Sequence, residues 1–205
     1  GNSIAYRYAS YSLDNLDVTV GNYYEQFGSG LVFRTYENKG LGVDNAMDGV
    51  RIKYNILNSI DIKSFIGTSR TYLEYSDGIV RGIDVETNLF ELLALEKSTN
   101  LILGSSFVSR FQKDNNPKFN LPQNVGVYGL RSNLISGNFN YYLEYVHKYN
   151  DPAGSIADNS NNYATGNAIK TSLTYFQKGL GFSFDAHRVD NCLLYTSPSP
   201  RDKHR

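Results

Sequence analysis

The densest group of chemistry-bearing side chains lies at 20–37, VGNYYEQFGSGLVFRTYE, where Glu25, Gln26, Arg34 and Glu37 stand among aromatics and glycines. Carboxylates, an amide and a guanidinium in so short a run could line a constriction or hold a small polar ligand. Their plainer role is to pair with one another along a kinked strand, because glycine in a strand marks a bulge or a close backbone approach. Gly28-Ser29-Gly30 lacks the Gly-Lys-Ser/Thr and the opening helix of a phosphate loop. Nor is it the Ser-centred elbow of a hydrolase. Asp44-Asn45-Ala46-Met47-Asp48-Gly49 misses the calcium-loop spacing, which needs a Glu at the twelfth position, and reads as a polar loop. Before position 192, histidine occurs only at His147 and His187, with no serine marked as a nucleophile beside either. A Ser-His hydrolase needs those groups within mutual reach. No catalytic residue, metal ligand or cofactor site is therefore assigned, and enzymatic chemistry is not expected.

The remaining charged residues follow a rule of position. Runs such as 50–56 (VRIKYNI), 60–63 (IDIK), 83–89 (IDVETNL), 139–145 (FNYYLEY) and 169–175 (IKTSLTY) alternate apolar with polar residues, the period of a strand with two unlike faces. One face carries Leu, Val, Ile, Phe and Tyr. The other carries Arg7, Asp17, Arg51, Lys53, Asp61, Lys63, Asp84, Glu86, Glu144, Lys170 and Asp185. Arg51, Lys53, Asp84 and Glu86 join Glu25, Gln26, Arg34 and Glu37 as candidates for contact with a polar solute. Both signs occur in near balance, which argues against a strongly ion-selective pore and fits internal ion-pair ladders. His147 falls on the face of Leu143 and Tyr145.

Segments of strand length lie near 3–12, 16–37, 48–56, 60–71, 79–90, 99–111, 123–135, 138–149, 166–177 and 181–190. Tight links near 13–15, 57–59, 136–137 and 178–180 alternate with wide polar loops near 38–47, 72–78, 112–122 and 150–165. The segment at 16–37 is taken as one strand kinked at Phe27-Gly28-Ser29-Gly30, because that preserves the rhythm. The stretch 89–97, LFELLALEK, is taken as a strand end and connector. The expected fold is all-β: an antiparallel up-and-down meander of about ten strands, with short turns on one side and long loops on the other, as in a transmembrane β-barrel. Alternation alone fits equally a soluble sandwich whose charged face meets water.

The chain has 205 residues, 20 basic and 20 acidic, so no charge excess points to nucleic acid. No apolar run reaches the roughly 20 residues of a membrane helix. A negative mean hydropathy does not exclude a barrel, whose strands show lipid only alternate residues. Residues 192–202, CLLYTSPSPRD, resemble the in-frame translation of a transposase-type sequencing adapter and include the single cysteine. The fold is expected within 1–191, as a piece of a larger barrel, with 192–205 outside it.

The run at 16–54 resembles uncharacterised outer-membrane β-barrel proteins of the Bacteroidota, as do Ser76-Asp77-Gly78-Ile79-Val80-Arg81-Gly82-Ile83-Asp84 and Tyr175-Phe176-Gln177-Lys178-Gly179-Leu180-Gly181. The resemblance implies an outer-membrane location and a barrel in contact with lipid and lipopolysaccharide. It assigns no activity and no site residues; the role expected of such a barrel is porin-like transport or structural, with a small polar solute as a candidate partner. The alternative is a soluble or surface-exposed all-β module that binds glycan or protein through aromatic loops such as 72–75 and 161–163.

Overall fold

The structure, a computed structural model, describes residues 6–71, 74–95, 99–111, 124–151 and 164–190. β1 (Tyr8–Leu13) and β2 (Leu16–Tyr23) form a hairpin. Four two-residue strands follow, β3 (Gln26–Phe27), β4 (Phe33–Arg34), β5 (Glu37–Asn38) and β6 (Val43–Asp44). Next come β7 (Met47–Ile56), β8 (Ile60–Thr71) and β9 (Glu74–Asn88), a single helical turn α1 (Leu89–Leu92), and then β10 (Thr99–Phe111), β11 (Asn124–Ser136), β12 (Phe139–Asp151), β13 (Ala164–Gln177) and β14 (Leu180–Asp190). The long strands make one antiparallel meander of ten, in the order β1-β2-β7-β8-β9-β10-β11-β12-β13-β14. Sequence neighbours pair throughout, apart from the step from β2 to β7 across the small strands. Among the described residues the sheet has two open edges, β1 and β14.

The alternation of residue types becomes an alternation of burial, most clearly along β9 and β10. The sheet's uncovered face is the apolar one, the reverse of a soluble sheet's arrangement, and its covered face holds charged groups beside a row of apolar ones. Asp84, Glu144, Arg70 and Lys148 are at most 2% exposed, whereas Tyr11 is 63%, Leu130 55% and Ile66 51% exposed. The face bearing the buried charges, here called the inner face, is covered by residues 24–46. The opposite face presents Ile52, Ile83, Phe107, Tyr145, Ile169 and Phe184, uncovered.

Residues 24–46 are the main departure from the expected strand plan. A single kinked strand at 16–37 is not formed. β2 ends at Tyr23, and two small hairpins, β3–β4 and β5–β6, follow. Gly28 and Gly30 take positive φ, +52° and +91°, which side chains disfavour and glycine adopts freely. The chain turns there, with Gly30 N–H donating to the Phe27 carbonyl at 2.9 Å. Tyr23 and Met47 remain register partners, so 24–46 is an insertion at the end of the β2–β7 hairpin that folds back over the inner face.

Its apolar side chains make the core. Phe27, Val32 and Phe33 cluster with Tyr23, Met47, Phe65, Val80, Val108, Val127, Val146 and Ala168, which come from eight different strands of the sheet. Phe65 stacks on Phe33 with ring centroids 4.4 Å apart and meets Phe27 at 5.4 Å. Room for this comes partly from Gly129, where a Cβ would lie 2.5 Å from Val32 Cγ2. Gly129→Val is therefore expected to lift the insertion while leaving the sheet paired. Chymotrypsin should then cut at Phe27 and Phe33, which are buried in the wild type, without loss of far-UV strand signal.

Two connections depart from the expected rhythm. The wide loop expected at 72–78 is absent, because Thr71 and Glu74 are register partners and Ser76, Asp77 and Gly78 lie within β9. Within the 89–97 stretch Leu89–Leu92 is a helical turn rather than a strand end, with Asn88 as its cap: the Asn88 side chain accepts from Glu91 N–H. Leucine and glutamate favour a helix once the β ladder has ended. The wide loops expected at 112–122 and 150–165 fall largely outside the described residues, as does 192–205. The tight links at Asp14–Asn15, 57–59, 137–138 and 178–179 are present.

Candidate functional site

The inner face carries charge in rungs set by strand register. One rung runs Asp17, Lys53, Lys63, Asp84, Ser106, each opposite the next. A second runs Asp61, Glu86, Gly104, Arg131, Glu144, Lys170, His187. Lys53 directly opposite Lys63 is a like-charge pair, which destabilises a sheet unless neutralised. The insertion supplies the anion. Glu25, buried, lies 3.0 Å from Lys53 Nζ, 3.6 Å from Arg51 Nη1 and 3.9 Å from Lys63 Nζ. Arg51 in turn donates to Asp17, to Thr19 Oγ1 at 2.9 Å and to the Tyr24 carbonyl at 3.2 Å.

Arg131 is the centre of the second cluster. Its Nε and Nη2 donate to Glu86 Oε2 at 3.1 and 2.8 Å. Nη1 donates to Asp84 Oδ1 at 2.7 Å and Ser106 Oγ at 2.8 Å, and Nη2 also reaches Asp84 Oδ2 at 3.0 Å. All five guanidinium N–H groups are thereby used. Glu144, beside it, is buried and accepts from Ser29 N–H, the Ser29 hydroxyl and the Tyr142 hydroxyl. The Gly28 position touches both groups, since a Cβ there would lie 2.9 Å from Arg131 Cδ and from Glu144 Oε1. A third cluster holds the far end of the insertion. Arg70 pairs with Asp44 at 2.8 Å, and the Tyr24 hydroxyl donates to the same carboxylate at 2.9 Å. Burial, and next that hydrogen bond, hold the Tyr24 phenol above its ordinary range.

Between Arg131 and the tight-turn end of the inner face lies an open cleft of about 420 Å³. Gly28 and Ser29 of the insertion form one wall, and β9 to β14 form the rest.

A family model described as a family of unknown function, DUF6029, matches residues 1–204. The chain belongs to DUF6029. No curated protein and no solved structure is detectably similar to it. In the DUF6029 chain the candidate residues read from the sequence separate into four places. Glu25, Arg51 and Lys53 meet in one ion cluster; Asp84 and Glu86 meet at Arg131. Gln26 and Arg34 are register partners on the exposed side of the insertion, where Arg34 lies over the Tyr36 ring at 4.5 Å. Glu37 stands apart, beside Lys39 at 3.9 Å. His147 lies on the apolar face, with Asn167 Oδ1 2.7 Å from its Nδ1.

Arg131, Arg70 and Ser29 were not singled out by sequence reasoning. Arg131 carried a readable signal, a lone cation at an inner-face position of the alternating run 124–136. Ser29 and Arg70 carried none, because the fold-back of the insertion and the register shift between Thr68 and Arg70 are tertiary features.

Proposed function

We propose that this chain forms part of a transmembrane β-barrel of the bacterial outer membrane, with lipid and lipopolysaccharide against the apolar face. The inner face would line a lumen largely filled by residues 24–46. The observation that carries this reading is the reversed polarity of the sheet. A face of isoleucine, leucine, phenylalanine and tyrosine stands uncovered while lysine, arginine and carboxylates are buried. In water such an uncovered face is unfavourable at roughly 25 cal/mol per Å² of apolar surface; in hydrocarbon it is the surface required. The strands β7 to β14, at 10 to 15 residues, also meet the roughly 9–11 residues needed to cross a bilayer. No described helix is long and apolar enough to cross, so a membrane role would fall to the strands.

With its lumen occupied, such a barrel would be a structural or gated transport element rather than an open porin. The test is physical. The protein should partition with detergent or lipid, keep its strand signal there, and migrate faster on gels unheated than boiled. A monodisperse, heat-insensitive protein in detergent-free buffer would overturn the reading.

A further inference from the structure

We infer that the cleft beside Arg131 is a binding site for a small neutral polyhydroxylated solute of mono- to disaccharide size. This deepens the lumen reading above and rests on it. Part of the cleft's polar lining is satisfied within the protein, Arg131 with Glu86 and both Ser29 and Tyr142 with Glu144, and part is not. Asn133 Oδ1 is buried without a hydrogen-bond partner. Lys170 and Ser172, which also line the cleft, have no side-chain partner among the described residues. Glu86 spends Oε2 on Arg131 and keeps Oε1. Asp185 accepts only from Ser183, at 3.3 Å. The result is a set of donors and acceptors interleaved over a few ångströms, which hydroxyl groups, each both donor and acceptor, can satisfy together.

Charge narrows the class. Arg131 has no N–H left to give an anion. The carboxylates at or behind the cleft (Asp84, Glu86, Glu144 and Asp185) outnumber the cations Arg131 and Lys170 by two. An anionic solute is thus repelled, and with Glu86 paired to Arg131 and Glu144 opposite Lys170 little uncompensated carboxylate charge is left to hold a cation. The cleft's volume, about 420 Å³, lies within the usual range for small-ligand sites. Its walls include Ser29, so the ligand would also touch the insertion.

The test is isothermal titration of the full chain in a detergent without a sugar headgroup. The probes are a panel of neutral hexoses and their disaccharides, inorganic phosphate, and ethylenediamine. At least one neutral sugar should bind at millimolar concentration, with phosphate and ethylenediamine silent. Asn133→Ala and Ser172→Ala should each weaken it by about tenfold while leaving heat-dependent gel mobility unchanged. Binding of phosphate or ethylenediamine in place of sugar overturns the ligand class. Silence of all probes with gel mobility intact overturns the site but leaves the membrane reading standing. Sugar binding by a protein soluble without detergent overturns the membrane reading and leaves the site.

Discussion

Arg131→Ala is expected to destabilise the protein by about 3–5 kcal/mol, the usual cost of leaving buried charges without their partner. Asp84 is 1% exposed and loses two hydrogen bonds from the guanidinium, and Glu86 loses two more. Arg131→Lys should recover little, because an ammonium cannot span two carboxylates with a planar fork. Replacing the whole cluster, Asp84→Leu with Glu86→Gln and Arg131→Met, should be far milder than removing arginine alone, because no charge is then stranded. Urea unfolding followed by circular dichroism reads all three. A loss below about 1 kcal/mol for Arg131→Ala would show that the carboxylates are solvated without it.

The second large effect concerns conductance. Tyr23 and Met47 are register partners, so a two-residue Asn-Gly turn can join them in place of 24–46 without disturbing the ladder. On the barrel reading proposed above, the wild type should be nearly closed in planar bilayers, and this variant should conduct on the order of tenfold more. Phe27→Glu with Phe33→Glu reaches the same end by substitution, expelling the insertion from the core it shares with Phe65. Equal conductance of wild type and both variants, all showing native strand content, would show that the insertion does not occlude a path.

The sheet was largely legible in the sequence because its determinants are local. Val50-Arg51-Ile52-Lys53 and Ile83-Asp84-Val85-Glu86 declare strand, face and approximate register within a few residues, and the long strands other than the one expected at 16–37 stand close to where alternation placed them. The insertion was not legible in the same way. Alternation at 16–20 fades at Gly21-Asn22-Tyr23-Tyr24 without a turn signal, and the left-handed glycines that turn the chain back come only at 28 and 30. The partners that make the fold-back favourable, Lys63 for Glu25, Glu144 for Ser29 and Gly129 for Val32, lie 38 to 115 residues away along the chain and on separate strands. The same holds for the site. Glu25 could be suspected from its polarity among aromatics, but its meaning comes from Lys53 facing Lys63, a fact of register.

One row of residues on the inner face bears on shape. Gly21, Gly49 and Gly67 are register partners across β2, β7 and β8. A Cβ on Gly49 would lie 2.1 Å from the Ile66 carbonyl oxygen, on Gly67 2.5 Å from that of Asp48, and on Gly21 2.4 Å from that of Arg7. Three missing methyl groups in a line make a crease, and glycine kinks are how a sheet is made to turn a corner. The crease lies two residues before Tyr23 and two after Met47, at the root of the insertion. A bend along that line curves the ends of β2, β7 and β8 where the insertion leaves the sheet. The curvature at that end of the sheet is thus written into side chains that are absent, and a single alanine at Gly49 would act on it as a wedge driven into a fold of paper.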